Sequence, residues 1–140
     1  MTLWFRFEDG PWVQVVLRGP RGRTPPLAAL LDSGADYSVV PRKIAADIHL
    51  PLSRRTYALG GVGGTLRAHK SVAHVTLRDG FEEVSLERVP VYVPAKGERF
   101  ESLLLGRAGV FARFRIVLDE AHDLIALDPV GRAPRQVPEA

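Results

Sequence analysis

The chain has 140 residues, of which 46% are hydrophobic and 25% are charged, and this balance predicts one soluble globular domain. The net charge of +3 comes from 19 basic and 16 acidic residues, scattered along the chain, which argues against a nucleic-acid-binding protein. The absence of cysteine excludes disulfides, thiolate metal sites and cysteine nucleophiles.

The start of the chain gives no sign of a targeting or membrane segment. No signal-type apolar stretch follows residues 1–6, and no apolar run approaches the length of a membrane span. We therefore expect a soluble, cytoplasmic protein without a membrane partner. The four histidines have no metal-ligand spacing, so we expect no metal and no cofactor.

The first third of the chain is predicted to be mostly short β-strands. Apolar and β-branched runs separated by turn signals predict strands at residues 1–7, 12–17, 27–31 and 37–40. Pro41 suits the first turn of a helix, and apolar residues then recur at helical spacing. A helix of about two turns is therefore predicted over residues 42–48.

A glycine-rich segment follows between two strand-like arms, 56–59 and 65–68. Its residues are Gly60, Gly61, Val62, Gly63 and Gly64. A phosphate-binding loop would need a Lys-Ser/Thr pair or a helix immediately after the glycines, and residues 65–69 offer neither. The segment is therefore predicted to be the tip of a long hairpin, with an ordinary flexible loop as the alternative.

The remaining segments continue the β pattern. Residues 108–114 are predicted to be helical, although Gly109 weakens that prediction. Residues 128–140, rich in proline, are expected to form a flexible tail after a single domain at 1–127. The sum is a mostly β protein, closed or sandwich-like. Further strands are predicted at 71–77, 84–86, 89–93, 102–105, 114–119 and 123–127.

Asp32 is the residue with the clearest chemical potential. The apolar run 27–31 leads directly into this carboxylate, which is costly at the end of a buried strand unless a partner satisfies it. Two carboxylates that share one proton can act as acid and base in hydrolysis. No second Asp-Ser/Thr-Gly occurs, so a twofold dimer would have to supply the second carboxylate. The alternative for Asp32 is an ordinary turn or helix-capping aspartate.

Three segments together resemble a known family. Leu31-Asp32-Ser33-Gly34-Ala35-Asp36 resembles the active-site motif of the retropepsin-like aspartic proteases. Residues 60–64 resemble their glycine-rich flap tip, and Leu104-Leu105-Gly106-Arg107 resembles their apolar-apolar-Gly-Arg motif. The segments occur in the family's order, at roughly its spacing. The ending beyond residue 114 is more similar to the cellular and bacterial relatives than to the retroviral enzymes.

The resemblance implies a closed β-barrel of the acid-protease type, with one or two short helices and one lobe per chain. It implies that Asp32 is catalytic, that Ser33 hydrogen-bonds across a dimer axis and that Gly34 offers its backbone to the site. It further implies that Asp36 binds substrate and forms an ion pair with Arg107. The other implied site residues are Ala35 and the flap residues Gly60, Gly61, Val62, Gly63 and Gly64 for substrate, and Gly106 for structural support.

The function implied is that of a homodimeric aspartic endopeptidase acting on extended peptide or protein substrates. The alternative is a catalytically silent binding or assembly module of the same fold. Ala108 stands where the family usually has Asp or Asn, and the chain continues well beyond this motif, which keeps that alternative open. Self-association alone is a third possibility.

Overall fold

The computed structural model describes residues 1–61 and 63–130, and β-strands make up most of the regular secondary structure in this part of the chain. A single α-helix, α1, spans Arg42–Asp47 in these ranges, with short 3₁₀ helices at Phe111–Arg113 and Glu120–His122. The strands are β1 (Leu3–Arg6), β2 (Trp12–Gly19), β3 (Gly22–Arg23), β4 (Leu27–Leu31), β5 (Ser38–Val39), β6 (Thr56–Gly61), β7 (Gly64–Arg78), β8 (Glu83–Pro94), β9 (Leu104–Leu105), β10 (Phe114–Asp119) and β11 (Leu124–Pro129).

Six strands close into a barrel in the order β2-β4-β9-β5-β8-β7, and β7 pairs again with β2. The short strands β3 and β6 extend the sheet beyond β2 and β7. Strand β2 shows why the barrel forms, because its alternate residues Val13, Val15 and Leu17 are buried and the residues between them face outward. Burying each such side chain contributes about 1.5–3 kcal/mol.

The remaining strands form a second, three-stranded antiparallel sheet in the order β1-β11-β10. Its inner face joins the barrel core, because Leu3, Ile125 and Leu127 are fully buried in the same apolar cluster as the barrel residues. Strands β10 and β11 agree with the strands predicted at 114–119 and 123–127. The segments 3–6 and 114–129 therefore pack on the barrel through their own sheet.

The helix predicted at residues 108–114 is wrong. Only Phe111–Arg113 is helical there, as a 3₁₀ turn. Gly109 has a φ of +74°, which lies outside the α-helical region, and a Cβ at this position would lie 2.9 Å from Pro90 Cδ. The close approach of Gly109 to β8 replaces the helix, while the following Val110 is fully buried.

Other predicted boundaries also shift. The strands predicted at 84–86 and 89–93 are one strand, β8, which bends at an irregularity opposite Ala73 and Val75, with Arg88 at a φ of 53°. The strand predicted at 102–105 is confined to β9. Asp128 and Pro129, expected in the tail, belong to β11 and pair with β10. The predicted tail residues 131–140 lie outside the described residues.

Candidate active site

Asp32 lies immediately after β4, where backbone hydrogen bonds hold it against β9. Its N–H donates to the carbonyl of Leu105 at 2.9 Å, which continues the parallel pairing of β4 and β9. Its carboxylate Oδ1 accepts a hydrogen bond from the N–H of Gly34 at 2.9 Å. The half-buried carboxylate is therefore oriented by its own turn and anchored by the barrel.

The turn after Asp32 depends on Gly34. A Cβ at this position would lie 3.3 Å from Asp32 Oδ1, a contact tighter than most side chains make, so the glycine leaves the carboxylate unobstructed. The N–H of Ala35 closes the turn by donating to the carbonyl of Asp32 at 3.2 Å. Ser33 is exposed on this turn, and its predicted bond across a dimer axis stays a prediction.

The Gly106-Arg107 segment supports the Asp32 turn through backbone contacts. Arg107 N–H donates to the Ala35 carbonyl, and Ala108 N–H donates to the Asp36 carbonyl, both at 2.9 Å. Gly106 is buried here, and a Cβ on it would collide with the backbone of Tyr37. In the single chain, Gly106 and Arg107 thus contact the Asp32 turn through main-chain atoms, and their support role stays a prediction.

The ion pair predicted between Asp36 and Arg107 is wrong for the single chain. Among residues 1–61 and 63–130, the contacts between basic and acidic side chains within 4.0 Å are Arg115–Asp128 and His122–Asp119. Asp36 and Arg107 are both exposed, so water solvates their charges and a side-chain contact would contribute only about 0–1 kcal/mol. Their backbone connection does not depend on that contact.

Ser38 is a supporting residue that the sequence reasoning missed. Its side chain is 1% exposed, and its Oγ accepts a hydrogen bond from the N–H of Gly106 at 3.0 Å. A buried amide without such an acceptor costs about 1–3 kcal/mol, so this bond stabilises the close approach of the two segments. The signal that could have found it is a serine beside the valines of the strand predicted at 37–40.

A groove of about 800 Å³ is lined by both the Asp32 turn and the glycine hairpin, two segments that the sequence singled out. The Asp32 turn contributes Asp32, Gly34, Ala35 and Asp36 to its lining, and the glycine hairpin contributes Gly60, Gly61, Gly63 and Gly64. Val62 lies outside the described residues. Lining residues that the sequence did not single out include Tyr37, Leu59, Leu66, Glu98, Arg99 and Phe100.

The glycine hairpin stands clear of the rest of the described structure. Gly60 pairs with Thr65, and Gly61 pairs with Gly64, whose φ is +115°. A Cβ at Gly60, Gly61 or Gly63 would meet no atom within 4 Å. The hairpin predicted at this position is therefore confirmed.

Three tyrosines connect the base of this hairpin to the Asp32 turn. Tyr57, on β6, makes an edge-to-face contact with Tyr92 at a centroid distance of 6.3 Å. Tyr92 makes a second such contact with Tyr37 at 5.1 Å, and Tyr37 lines the groove. Lys70 Nζ lies 4.2 Å from the centre of the Tyr57 ring, a cation–π contact that adds to the stability of the hairpin base.

A second cavity, of about 550 Å³, lies on the outer face of β2, β7 and β8. Arg18, His74 and Arg78 contribute to its lining, whereas the Asp32 turn and the glycine hairpin do not. Among the described residues there is no cluster of three or more His, Cys, Asp or Glu side chains suited to a metal ion. The groove at Asp32 is thus the better candidate for a hydrolytic site, because it combines a positioned carboxylate with an open hairpin.

The sequence profile of a family described as aspartyl protease matches residues 13–108. The chain belongs to the aspartyl protease family. The match spans the Asp32 turn, the glycine hairpin and Gly106-Arg107. No curated protein matches the sequence.

Two solved structures are similar to this chain. A retropepsin-like aspartic protease from Rickettsia conorii is 17% identical, with a TM-score of 0.59, over 91% of this chain and 90% of that one. The EIAV protease in complex with the inhibitor HBY-793 is 24% identical, with a TM-score of 0.47, over 74% of this chain and 86% of that one. The retropepsin-like barrel predicted from the sequence is confirmed. In the described ranges, no helix has the length and apolar character required to cross a membrane.

Proposed function

We propose that the protein is a homodimeric aspartic endopeptidase whose active site contains Asp32 from each of two chains. The observation that carries the proposal is the position of the Asp32 carboxylate. The carboxylate accepts a hydrogen bond from Gly34 N–H and lines a groove that the glycine hairpin also lines. The chain that holds it belongs to the aspartyl protease family. The sequence contains one Asp-Ser-Gly, so the second carboxylate comes from a twofold-related copy.

The chemistry requires the two carboxyl groups to share one proton, because like charges in contact do not both ionise readily. The ionised Asp32 takes a proton from a water molecule, whose oxygen forms a bond with the peptide carbonyl carbon. The protonated partner gives its proton to the carbonyl oxygen. In the second step, the C–N bond breaks as the amine nitrogen takes a proton from one carboxyl. A hydroxyl proton of the intermediate passes to the other carboxylate, which restores the shared proton.

The shape of the groove supports an extended peptide as substrate. Leu66, Phe100 and Leu104 supply apolar lining, which favours burial of substrate side chains. In our proposal, the hairpin at 60–64 closes over the bound segment as a flap and excludes water from the two carboxyls. The open surroundings of its glycines are consistent with such movement.

The decisive experiment compares Asp32→Asn with wild type on a library of fluorogenic peptides between pH 3 and pH 8. General acid–base catalysis contributes roughly 10²–10⁴-fold, so we expect the variant to lose at least about 10²-fold in kcat/KM while its circular dichroism spectrum is unchanged. Asp47→Asn, at the exposed end of α1, is the matched control and keeps full activity. Full activity in Asp32→Asn would contradict the proposal.

A binding module of the same fold is the second candidate. It is favoured by one observation, the absence of an ion pair between Asp36 and Arg107 in the single chain, together with Ala108 in the following position. A wild-type dimer that cleaves no peptide in the library, yet binds a statine-type peptide, would establish the binding module. Cleavage that the same statine-type compound inhibits would exclude it.

A further inference from the structure

Strand β10 forms an edge of the three-stranded sheet, and its outer side carries no strand within residues 1–61 and 63–130. The opposite edge, at β1, is different. There the carboxylate of Asp79 accepts a hydrogen bond from the N–H of Trp4 at 3.0 Å. A side chain thus occupies one edge of the sheet, whereas β10 leaves backbone groups available for pairing.

The side chains of β10 are unusually apolar for an exposed edge. Val117 and Leu118 are each 50% exposed. Leu118 pairs with Ile125, so both side chains lie on the inner face of the sheet, yet Ile125 is fully buried. The inner face is therefore covered at β11 and incompletely covered at β10. Long, apolar edge strands of this kind are templates for pairing with another chain.

Hydrogen bonding fixes which backbone groups of β10 point outward. Val130 N–H donates to the Arg113 carbonyl at 3.0 Å. The residues of β10 that bond to β11 are therefore every second residue after Arg113, which are Arg115, Val117 and Asp119. Antiparallel strands alternate these positions. The N–H and C=O groups of Phe114, Ile116 and Leu118 therefore face away from β11, toward the open edge.

We infer that β10 pairs antiparallel with β10 of a second copy of this chain, with the twofold axis at Val117. This inference rests on the proposed function, since it names the surface by which the two Asp32 residues are brought into one dimer. In this register, Ile116 lies opposite the partner subunit's Leu118, and both present outward-facing backbone groups. Two such pairs give four hydrogen bonds and join the two sheets into one of six strands.

Charge favours this register over its neighbours. Arg115 lies opposite the partner subunit's Asp119, and the symmetry repeats that pair. A shift of the register by two residues in either direction keeps the hydrogen-bonding pattern. It places Val117 opposite either the partner subunit's Arg115 or the partner subunit's Asp119, so Val117 then faces a charge. The strand Phe114–Asp119 is thus complementary to itself in charge, apolar contact and backbone geometry only when it is centred on Val117.

The direct test is a disulfide across the axis. Val117→Cys would introduce the only cysteine of the chain, and residues opposite each other in a non-hydrogen-bonded pair have Cα atoms about 4.5 Å apart, within the range of a disulfide. We expect most Val117→Cys chains to become covalent dimers under mild oxidation. The control Trp4→Cys, on the β1 edge, stays monomeric on a non-reducing gel.

A charge swap tests the register. Arg115→Asp and Asp119→Arg each place like charges opposite each other twice, and we expect each to weaken dimerisation about tenfold in sedimentation equilibrium. The double variant restores the wild-type affinity. If only contacts within one chain mattered, the double variant would be weaker than either single variant. The swap sets a carboxylate at position 115 against Asp128 and a guanidinium at position 119 against His122. A double variant weaker than both single variants would overturn the inference.

The outcomes separate this inference from the proposed function. If wild type is a dimer but Val117→Cys stays reduced, the β10 interface is overturned, whether another segment or a different protein covers the strand. The shared active site is not affected by that outcome. Full activity in Asp32→Asn overturns the function, even when the disulfide forms. A wild-type protein that is monomeric at the concentrations at which it cleaves peptides overturns both.

Discussion

At the scale of single residues, main-chain atoms rather than side chains hold the candidate catalytic carboxylate in place. Asp32 is bonded through its N–H to Leu105 and through its Oδ1 to Gly34 N–H. Gly106 approaches the same turn so closely that its N–H reaches the buried hydroxyl of Ser38. Backbone support of this kind has few rotatable bonds, and it therefore keeps the carboxylate in one orientation.

Gly106→Ala tests this close packing. The added methyl group would meet the backbone of Tyr37 and the carbonyl oxygen of Ala35, the latter at 2.8 Å, and backbone atoms cannot rotate away as a side chain can. We expect a loss of about 1–3 kcal/mol in the free energy of unfolding, measured in urea, and a loss of peptidase activity. Gly60→Ala, whose added methyl meets no atom within 4 Å, is the control for stability. Equal urea midpoints for both variants would contradict the packing.

The residues of the site could be predicted where the chemistry leaves a local signature. A carboxylate directly after an apolar strand and a run of glycines are visible in the sequence, and the groove contains residues from both. Phe100 gave no such signature and Ser38 gave only a weak one, a serine beside two valines, because a hydroxyl or an aromatic ring gains its role only from what packs against it. The Asp36–Arg107 ion pair was wrong because side-chain pairing depends on exposure, which the sequence does not specify.

At the scale of elements, the turn between β7 and β8 connects the barrel to the terminal sheet. Asp79 Oδ1 accepts hydrogen bonds from the N–H groups of Phe81 and Glu82, at 2.8 and 2.7 Å. Its Oδ2 accepts from Trp4 N–H, in β1. Partial burial raises the pKa of Asp79, but these backbone donors favour the charged form and bring the pKa below its ordinary value of 3.8.

Asp79→Asn is expected to uncouple this turn from β1. A carboxyl with a lowered pKa in the folded state stabilises the protein above pH 3.8, and that contribution disappears as the pH falls through the folded-state pKa. The amide keeps one acceptor for the turn and loses the acceptor for Trp4. We expect the variant to be less stable by about 1 kcal/mol at pH 7, with a smaller difference at pH 3.

Urea unfolding at both pH values measures this difference. Glu82→Gln makes the same carboxylate-to-amide change in the same turn and serves as the control. Its side chain is exposed, so we expect a stability within about 0.5 kcal/mol of wild type at either pH. A difference between Asp79→Asn and wild type that is the same at pH 3 and pH 7 would rule out the charge as its source.

The elements themselves were mostly predictable, because alternation and turn residues are local signals. The strands, the helix at Arg42–Asp47 and the glycine hairpin follow from such patterns. The predicted helix at 108–114 failed because Gly109 contacts β8, a tertiary contact that overrides weak helical spacing. The parallel pairing of β9 with β4, which positions Asp32, joins segments more than 70 residues apart and has no local signature.

At the scale of the whole molecule, the chain is one lobe of the proposed active site, which requires two. The barrel supplies the Asp32 turn and the glycine hairpin, and the terminal sheet supplies an edge suited to a second copy. Catalysis and assembly are thus linked in the proposed enzyme. The activity per chain should depend on protein concentration, because a dissociated chain contains one Asp32 and lacks the shared proton.

This linkage predicts dominant inhibition by inactive chains. When an equal amount of Asp32→Asn chain is mixed and equilibrated with wild type, random pairing leaves about half of the wild-type chains in wild-type dimers, so activity falls to about half. The same variant carrying Val117→Arg sets an unpaired guanidinium against the partner subunit's Val117 at the inferred β10 interface, so it should pair less readily with wild type and lower the activity less. The measurement is the initial rate of peptide cleavage at constant wild-type concentration. Undiminished activity with Asp32→Asn at every mixing ratio would show that each chain works alone.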